Sequence, residues 1–259
     1  MATGIRKTGE FCWINMLTPQ PPQAREFFSK LLGWTYTDVP GMDSGNIIQM
    51  NGHNIGGLWD LESPMTPPGT PPAIGVMVKI DSADDMVKKV TALGGTANPP
   101  MDIMENGRMV GCVDPNGAAI DLWEAKNQPG MDGDSTQHGA PSWFETLTTD
   151  AGRAREFYSE LFGWTSEDQQ MPGFKYTTFS LGSEPVAGMF PLTREMGEMP
   201  PHWATYFTVD DPDKTAERVT ELGGSVFMPL MDIDGVGRMA GVSSPQGIMF
   251  YVIKYFPMT

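Results

Sequence analysis

Four segments along the chain repeat a helix-like spacing of apolar residues. In the first, Ala24, Phe27, Phe28, Leu31 and Leu32 fall at i, i+3, i+4, i+7 and i+8, and Gly33 follows as a left-handed stop. Ala154, Phe157, Tyr158, Leu161 and Phe162 repeat this stripe ahead of Gly163. Shorter stripes, Val87, Val90, Leu93 and Ala216, Val219, Leu222, precede Gly94 and Gly223. Asp81 and Asp150 sit near helix starts, where a carboxylate accepts the free amide protons of the first turn. Before the second helix, Ile74, Val76, Val78 and Ile80 share one face, and a period of two predicts a strand. After each helix come shorter apolar runs, such as Ile47–Met50, Ile55–Leu58, Arg108–Val113 and Ala119–Trp123, broken by turn residues. Each unit reads strand, helix, then several strands.

The units are copies. Trp13 to Trp34 and Trp143 to Trp164 match at an offset of 130 residues, and Met101-Asp-Ile with Arg108-Met-Val-Gly recurs at the same offset as Met231-Asp-Ile with Arg238-Met-Ala-Gly. Within each half the helix stops recur more loosely, at spacings of 61, 69 and 60 residues, so each half is itself doubled. Proline-rich stretches, Ser63–Pro72 and Arg194–Pro201, separate the modules of a half. The expected organisation is a first domain over residues 8–126, a Gly/Asp/Gln linker over 127–140 and a second domain over 141–259.

Composition then excludes partners. The 259 residues carry 17 Lys and Arg against 32 Asp and Glu, a net charge of −15, which repels nucleic acid and anionic membrane surfaces. Two cysteines, Cys12 and Cys112, build no disulfide framework, so a reducing cytoplasm is expected. The amino terminus has no apolar run of a secretory signal, and no stretch approaches the roughly 18 apolar residues of a membrane span. Gly-x-Ser-x-Gly, Walker and Cys-x-x-Cys motifs do not occur, which disfavours hydrolase, nucleotide and zinc-ribbon readings.

The helix endings AREFFSKLLGW (24–34) and AREFYSELFGW (154–164), the stops Ala92-Leu-Gly-Gly95 and Glu221-Leu-Gly-Gly224, and the run from Asp114-Pro-Asn-Gly117 to Asp121-Leu-Trp123 carry a resemblance. Together with the doubled module they resemble the vicinal oxygen chelate superfamily, which contains glyoxalase I, bleomycin-resistance proteins and extradiol dioxygenases. The resemblance covers nearly the whole chain and is similar to the bacterial subgroup with two tandem domains. It implies an α+β fold: four βαβββ modules forming two tandem glyoxalase-like domains, with curved mixed sheets and helices outside. Whether modules pair within a half or across halves stays open. The fold hosts isomerases, dioxygenases, thiol transferases and drug binders, so it does not fix activity.

In that superfamily's metal enzymes, His, Glu or Gln ligands come from set strand positions. These fall here on Trp13, Gly57, Gly75 and Asp121 in the first half, and on Trp143, Gly188, Ala204 and Tyr251 in the second. An indole N–H only donates, and glycine and alanine offer no ligand atom, so neither metal nor other cofactor is expected. The implied cavities are lined by Trp13, Asn15, Leu17, Gly75, Met77, Asp121 and Trp123, and by Trp143, Glu145, Leu147, Ala204, Tyr206 and Tyr251. Of these, Trp13, Asn15, Met77, Asp121, Trp123, Trp143, Glu145, Tyr206 and Tyr251 are the candidate ligand contacts. Asp121 and Glu145 are the candidate general acids or bases.

Each feature also has a plainer role. Trp13 and Trp143 either stack on a ligand or plug a cavity that once held metal. Trp34 and Trp164 read as packing residues. Met42, Met50, Met65, Met77 and Met101 fill gaps in a core or line an adaptable pocket. His53, His138 and His202 have no counterparts in the opposite half, and Arg108 and Arg238, which do, read as turn-stabilising. The leading expectation is a cytoplasmic monomer or homodimer that binds a small apolar or aromatic molecule. A metal-dependent lyase, isomerase or dioxygenase with shifted ligands Glu145, Asp121 or Asn15 is the first alternative. An interaction module with filled cavities is the second.

Overall fold

A computed structural model describes residues 4–39, 45–63, 66, 69–171, 173–193, 196 and 199–257. Met42 and Met65, and parts of both proline-rich connections, lie outside the described residues. The first half runs β1 (Phe11–Thr18), α1 (Pro21–Leu32), β2 (Thr35–Asp38), β3 (Asn46–Met50) and β4 (His53–Asp60). It continues with β5 (Ala73–Ile80), α2 (Ala83–Ala92), β6 (Thr96–Ala97), β7 (Met101–Ile103), β8 (Gly107–Val113) and β9 (Ala119–Ala125). The second half repeats the order: β10 (Pro141–Thr148), α3 (Ala151–Phe162), β11 (Thr165–Met171), β12 (Phe174–Leu181) and β13 (Glu184–Pro191). Its other module is β14 (His202–Thr208), α4 (Pro212–Glu221), β15 (Ser225–Ile233), β16 (Gly237–Ser243) and β17 (Met249–Tyr255).

Modules pair within a half. The first sheet has the order β2-β3-β4-β1-β5-β9-β8-β6, with β7 also on β8, and the second has the matching order β11-β12-β13-β10-β14-β17-β16-β15. The seam is antiparallel, β1 on β5 and β10 on β14, and each outer strand beside it is parallel, β4 on β1 and β9 on β5. Each sheet curls into a half-barrel.

The helices cover the outside of each curl, as the apolar stripes require. Ala24, Phe27, Phe28, Leu31 and Leu32 of α1 are buried, as are Ala154, Phe157, Tyr158 and Leu161 of α3. Gly33 and Gly163 end these helices at φ 71° and 72°, a conformation that favours glycine. The cap expected at Asp81 is supplied instead by Ser82, whose hydroxyl accepts the Asp85 amide, while Asp81 accepts a hydrogen bond from Thr8. Asp150 caps α3 as expected, and Asp211 caps α4.

The two outer faces meet, so the helices lie between the sheets: α1 touches α4, α2 touches α3, and β5 backs onto β14. One aromatic core spans this seam, with Phe11 stacked on Phe144 at 4.2 Å and Phe28 against Phe250 at 5.2 Å. The Asp114-Pro-Asn-Gly turn belongs to it. Asp114 accepts three amide protons of its own turn and the Tyr158 hydroxyl of the opposite half at 2.8 Å. Met50 is buried in this core. With outer faces used for packing, both concave faces are turned away from the seam. Among the described residues no helix is long and apolar enough to cross a membrane.

Candidate functional site

The concave face of the first sheet encloses a cavity of about 650 Å³. Strand alternation delivers its walls: Trp13, Asn15 and Leu17 from β1, Trp59 from β4, Met77 from β5, Met109 and Gly111 from β8, and Asp121 and Trp123 from β9. Register brings them together. Gly57 and Gly75 both lie opposite Asn15, while Trp13 and Asp121 both lie opposite Met77. All five residues expected in this half, Trp13, Asn15, Met77, Asp121 and Trp123, therefore line one cavity.

The floor is a short polar relay in apolar surroundings. The Trp59 indole N–H donates to Asn15 Oδ1 at 3.2 Å, and Asn15 Nδ2 donates to Asp121 Oδ2 at 3.4 Å. Burial pushes the Asp121 carboxyl up to about 6, and the long Asn15 bond only partly opposes this. Trp59 can lie across the floor because Gly57 has no side chain; a Cβ there would stand 2.7 Å from its Nε1. The Trp123 indole is fixed by its N–H bond to the Gln128 carbonyl at 2.9 Å, and a Cβ on Gly107 would strike its ring at 2.5 Å. Asn98 also lines the cavity, and neither it nor Trp59 was among the sequence candidates. Trp59 follows Gly57 at a period of two and carried a signal, whereas Asn98 comes from a segment without periodicity.

The second concave face has the same backbone and different contents. Tyr176 swings over Gly188, where a Cβ would fall 1.9 Å from its hydroxyl, and Trp143 donates to that hydroxyl at 2.9 Å. Tyr206 stacks on Tyr251 at 4.5 Å and 13°, and Tyr251 meets Phe227 edge-on. Glu145 lies beneath, 6% exposed, accepting the Tyr206 hydroxyl at 3.0 Å and a bond from Tyr176. Burial raises its carboxyl above the ordinary range, and the two tyrosines pull it partly back. Trp143, Glu145, Tyr206 and Tyr251 thus converge as expected, but as a packed cluster joined by Tyr176, which sequence reading missed.

The other candidates sit elsewhere. Trp34 and Trp164 are buried in the seam. His53 pairs with Asp132 at 2.9 Å, His138 lies between Leu31 and Asp210, and His202 bonds the Pro200 carbonyl. Arg108 and Arg238 form ion pairs with Asp84 and Asp213 in the first turns of α2 and α4. Met101 is exposed beside the cavity mouth.

The donor set does not fit a divalent cation. Trp13, Gly57, Gly75 and Asp121 offer one carboxylate, and Trp143, Gly188, Ala204 and Tyr251 offer none, against the three or four His, Cys or carboxylate ligands such an ion takes. Among the described residues no group of three His, Cys, Asp or Glu is placed to hold one.

Comparison with known proteins agrees with the architecture. A model of the Glyoxalase/Bleomycin resistance protein/Dioxygenase superfamily matches residues 11–122 and again 141–252. CFP32 of Mycobacterium bovis, whose name assigns it provisionally as a glyoxylase, is 34% identical over 250 residues, covering 95% of this chain and 94% of that protein. The anthracycline biosynthesis protein DnrV of Streptomyces peucetius is 31% identical over 262 residues, covering 95% and 93%. In fold, the chain is similar to the Mn(II)-bound glyoxalase of Novosphingobium aromaticivorans, with a TM-score of 0.66 at 12% identity over 97% of this chain and 83% of that one.

Proposed function

The chain belongs to the Glyoxalase/Bleomycin resistance protein/Dioxygenase superfamily, and from that premise we propose that it binds a small planar, mainly apolar molecule in its first concave pocket, without an essential metal. The observation that carries this reading is the cavity of about 650 Å³ walled by three indoles and several methionines, with a single polar relay on its floor. Small-molecule sites have this size and this mixture of apolar wall with few polar groups. Trp13, Trp59 and Trp123 provide flat faces at low entropy cost, and Met77 and Met109 adapt to the edges. Asn15 and Asp121 set orientation. DnrV is named for anthracycline biosynthesis, and anthracyclines are polycyclic aromatics, a shape that suits these walls. Free, buried Cys12 and Cys112 agree with a cytoplasmic setting.

Titration with neutral planar aromatics, followed by intrinsic tryptophan fluorescence, tests the proposal. Saturable quenching with a Kd of roughly 1–100 μM, abolished in Trp13→Ala but kept in Trp143→Ala, is the expected result. No saturable response to any planar aromatic at millimolar concentration would overturn it.

A further inference from the structure

We infer that the first pocket is built for an organic cation, an aromatic ligand carrying a protonated amine whose charge is met by Asp121. The inference rests on the proposed function and narrows it to a substrate class. Three observations support it.

First, among the described residues that line the cavity Asp121 is the single ionisable side chain, since the rest are apolar, amide, hydroxyl or glycine. Among the described residues no positive group answers it. Lys79 shares the strand face of Met77 but gives its ammonium to the Arg6 and Pro129 carbonyls. Asn15 on β1, Met77 on β5 and Gly111 on β8 surround Asp121, and none of them ionises. Cys112, one residue beyond Gly111, packs into the core between the sheets with its thiol raised to about 12.

Second, the carboxylate is under-satisfied. A carboxylate can accept several hydrogen bonds, and among the described residues Asp121 receives one, at 3.4 Å. The other half provides the control. Glu145, buried on the equivalent concave face, is met by the hydroxyls of Tyr176 and Tyr206, so the chain itself satisfies it. The first half leaves that place to a ligand.

Third, the surroundings favour a cation over a neutral donor. The indole faces of Trp13, Trp59 and Trp123 attract positive charge, and ion pairing strengthens when the pair is shielded from water. The net charge of −15 draws cations toward the protein.

A matched set of probes tests this: 1-naphthylmethylamine, cationic at neutral pH; 1-naphthylmethanol, its neutral isostere; and 1-naphthoate, an anion. Calorimetric titration in about 0.15 M salt screens distant charge. The amine is expected to bind at least tenfold tighter than the alcohol, and the naphthoate more weakly than either. Asp121→Asn is expected to erase the advantage of the amine, and a single cooperative urea transition shows that the variant keeps its fold. Glu105→Gln, at an exposed position between the cavity-lining Met104 and Asn106, should leave the advantage intact. In the wild type the advantage should fade as pH drops below about 6, where Asp121 takes up its proton and the amine stays charged. Equal binding of amine and alcohol, or an advantage that survives Asp121→Asn or disappears in Glu105→Gln, would overturn the inference while the proposed function stood. Binding of no probe in the set, together with none of the neutral aromatics above, would overturn both.

Discussion

The indole N–H of Trp34 donates to the Gly139 carbonyl at 2.8 Å, reaching from the end of the first helix to the strand entry of the other half. Its counterpart 130 residues on, Trp164, donates to Gly9 at 2.9 Å, so the contact is reciprocal. This is the pattern of a two-fold dimer interface enclosed in one chain. Gly139 adopts φ 82°, and a Cβ there would stand 2.3 Å from the Leu32 carbonyl. Trp34→Ala should therefore cost about 3–5 kcal/mol, the usual loss for a fully buried large aromatic. Because the seam is shared, calorimetry of the wild type should show one transition for both halves, and two separated peaks would contradict the shared core.

Asp121 makes stability depend on pH. Its carboxyl stands at about 6 in the folded protein against an ordinary 3.8, so the native state holds the proton more tightly than the unfolded chain. This contribution is fully present below the unfolded value and is lost as pH rises to about 6. Asp121→Asn should be more stable than wild type at pH 7.5, by about 2–3 kcal/mol from a shift of this size, with the gap closing near pH 4. Urea unfolding at the two pH values reads this directly.

Glu145 has the same sign and a different setting. Glu145→Gln keeps an acceptor for the Tyr206 and Tyr176 hydroxyls, so it should change stability by under about 1 kcal/mol at low pH and raise it at neutral pH. Glu145→Ala strands both hydroxyls under the aromatic cluster and should cost about 2–4 kcal/mol. Equal effects of the two substitutions would mean that the tyrosines find other partners.

Cys12 and Cys112 are buried, and burial pushes both thiols to about 12. Thiolate is the reactive form. In the native protein neither should react with iodoacetamide over hours at pH 7.5, while both should label within minutes in concentrated urea. Mass spectrometry of the two samples counts the adducts.

Much of the fold was legible because its signals are local. The stripes ending at Gly33 and Gly163 name helix faces, and alternation from Ile74 to Ile80 names a strand, each within one turn or a few residues. Duplication was legible as repetition. Part of the site followed as well, since side chains on one strand face must share a cavity once strand order is known: Trp13 and Asn15 on β1, Met77 on β5, Asp121 and Trp123 on β9. Trp59 and Tyr176 escaped because each comes from an outer strand, where only the glycine it covers, Gly57 or Gly188, hints at its position.

From the sequence alone came the doubled module and the helix and strand faces, all properties of residue identity and short-range spacing. Only the tertiary structure decided that modules pair within a half, and that the carboxylate of one concave face meets two tyrosines while that of the other meets one amide. Long-range register determines both outcomes. Equivalent strands lay Trp59 over Gly57 in one half and bring Tyr176 over Gly188, beside the stacked Tyr206 and Tyr251, in the other. Whether a carboxylate on a concave face finds hydroxyl donors, as Glu145 does, or a single amide, as Asp121 does, depends on side chains far apart in the chain and adjacent only in the folded sheet.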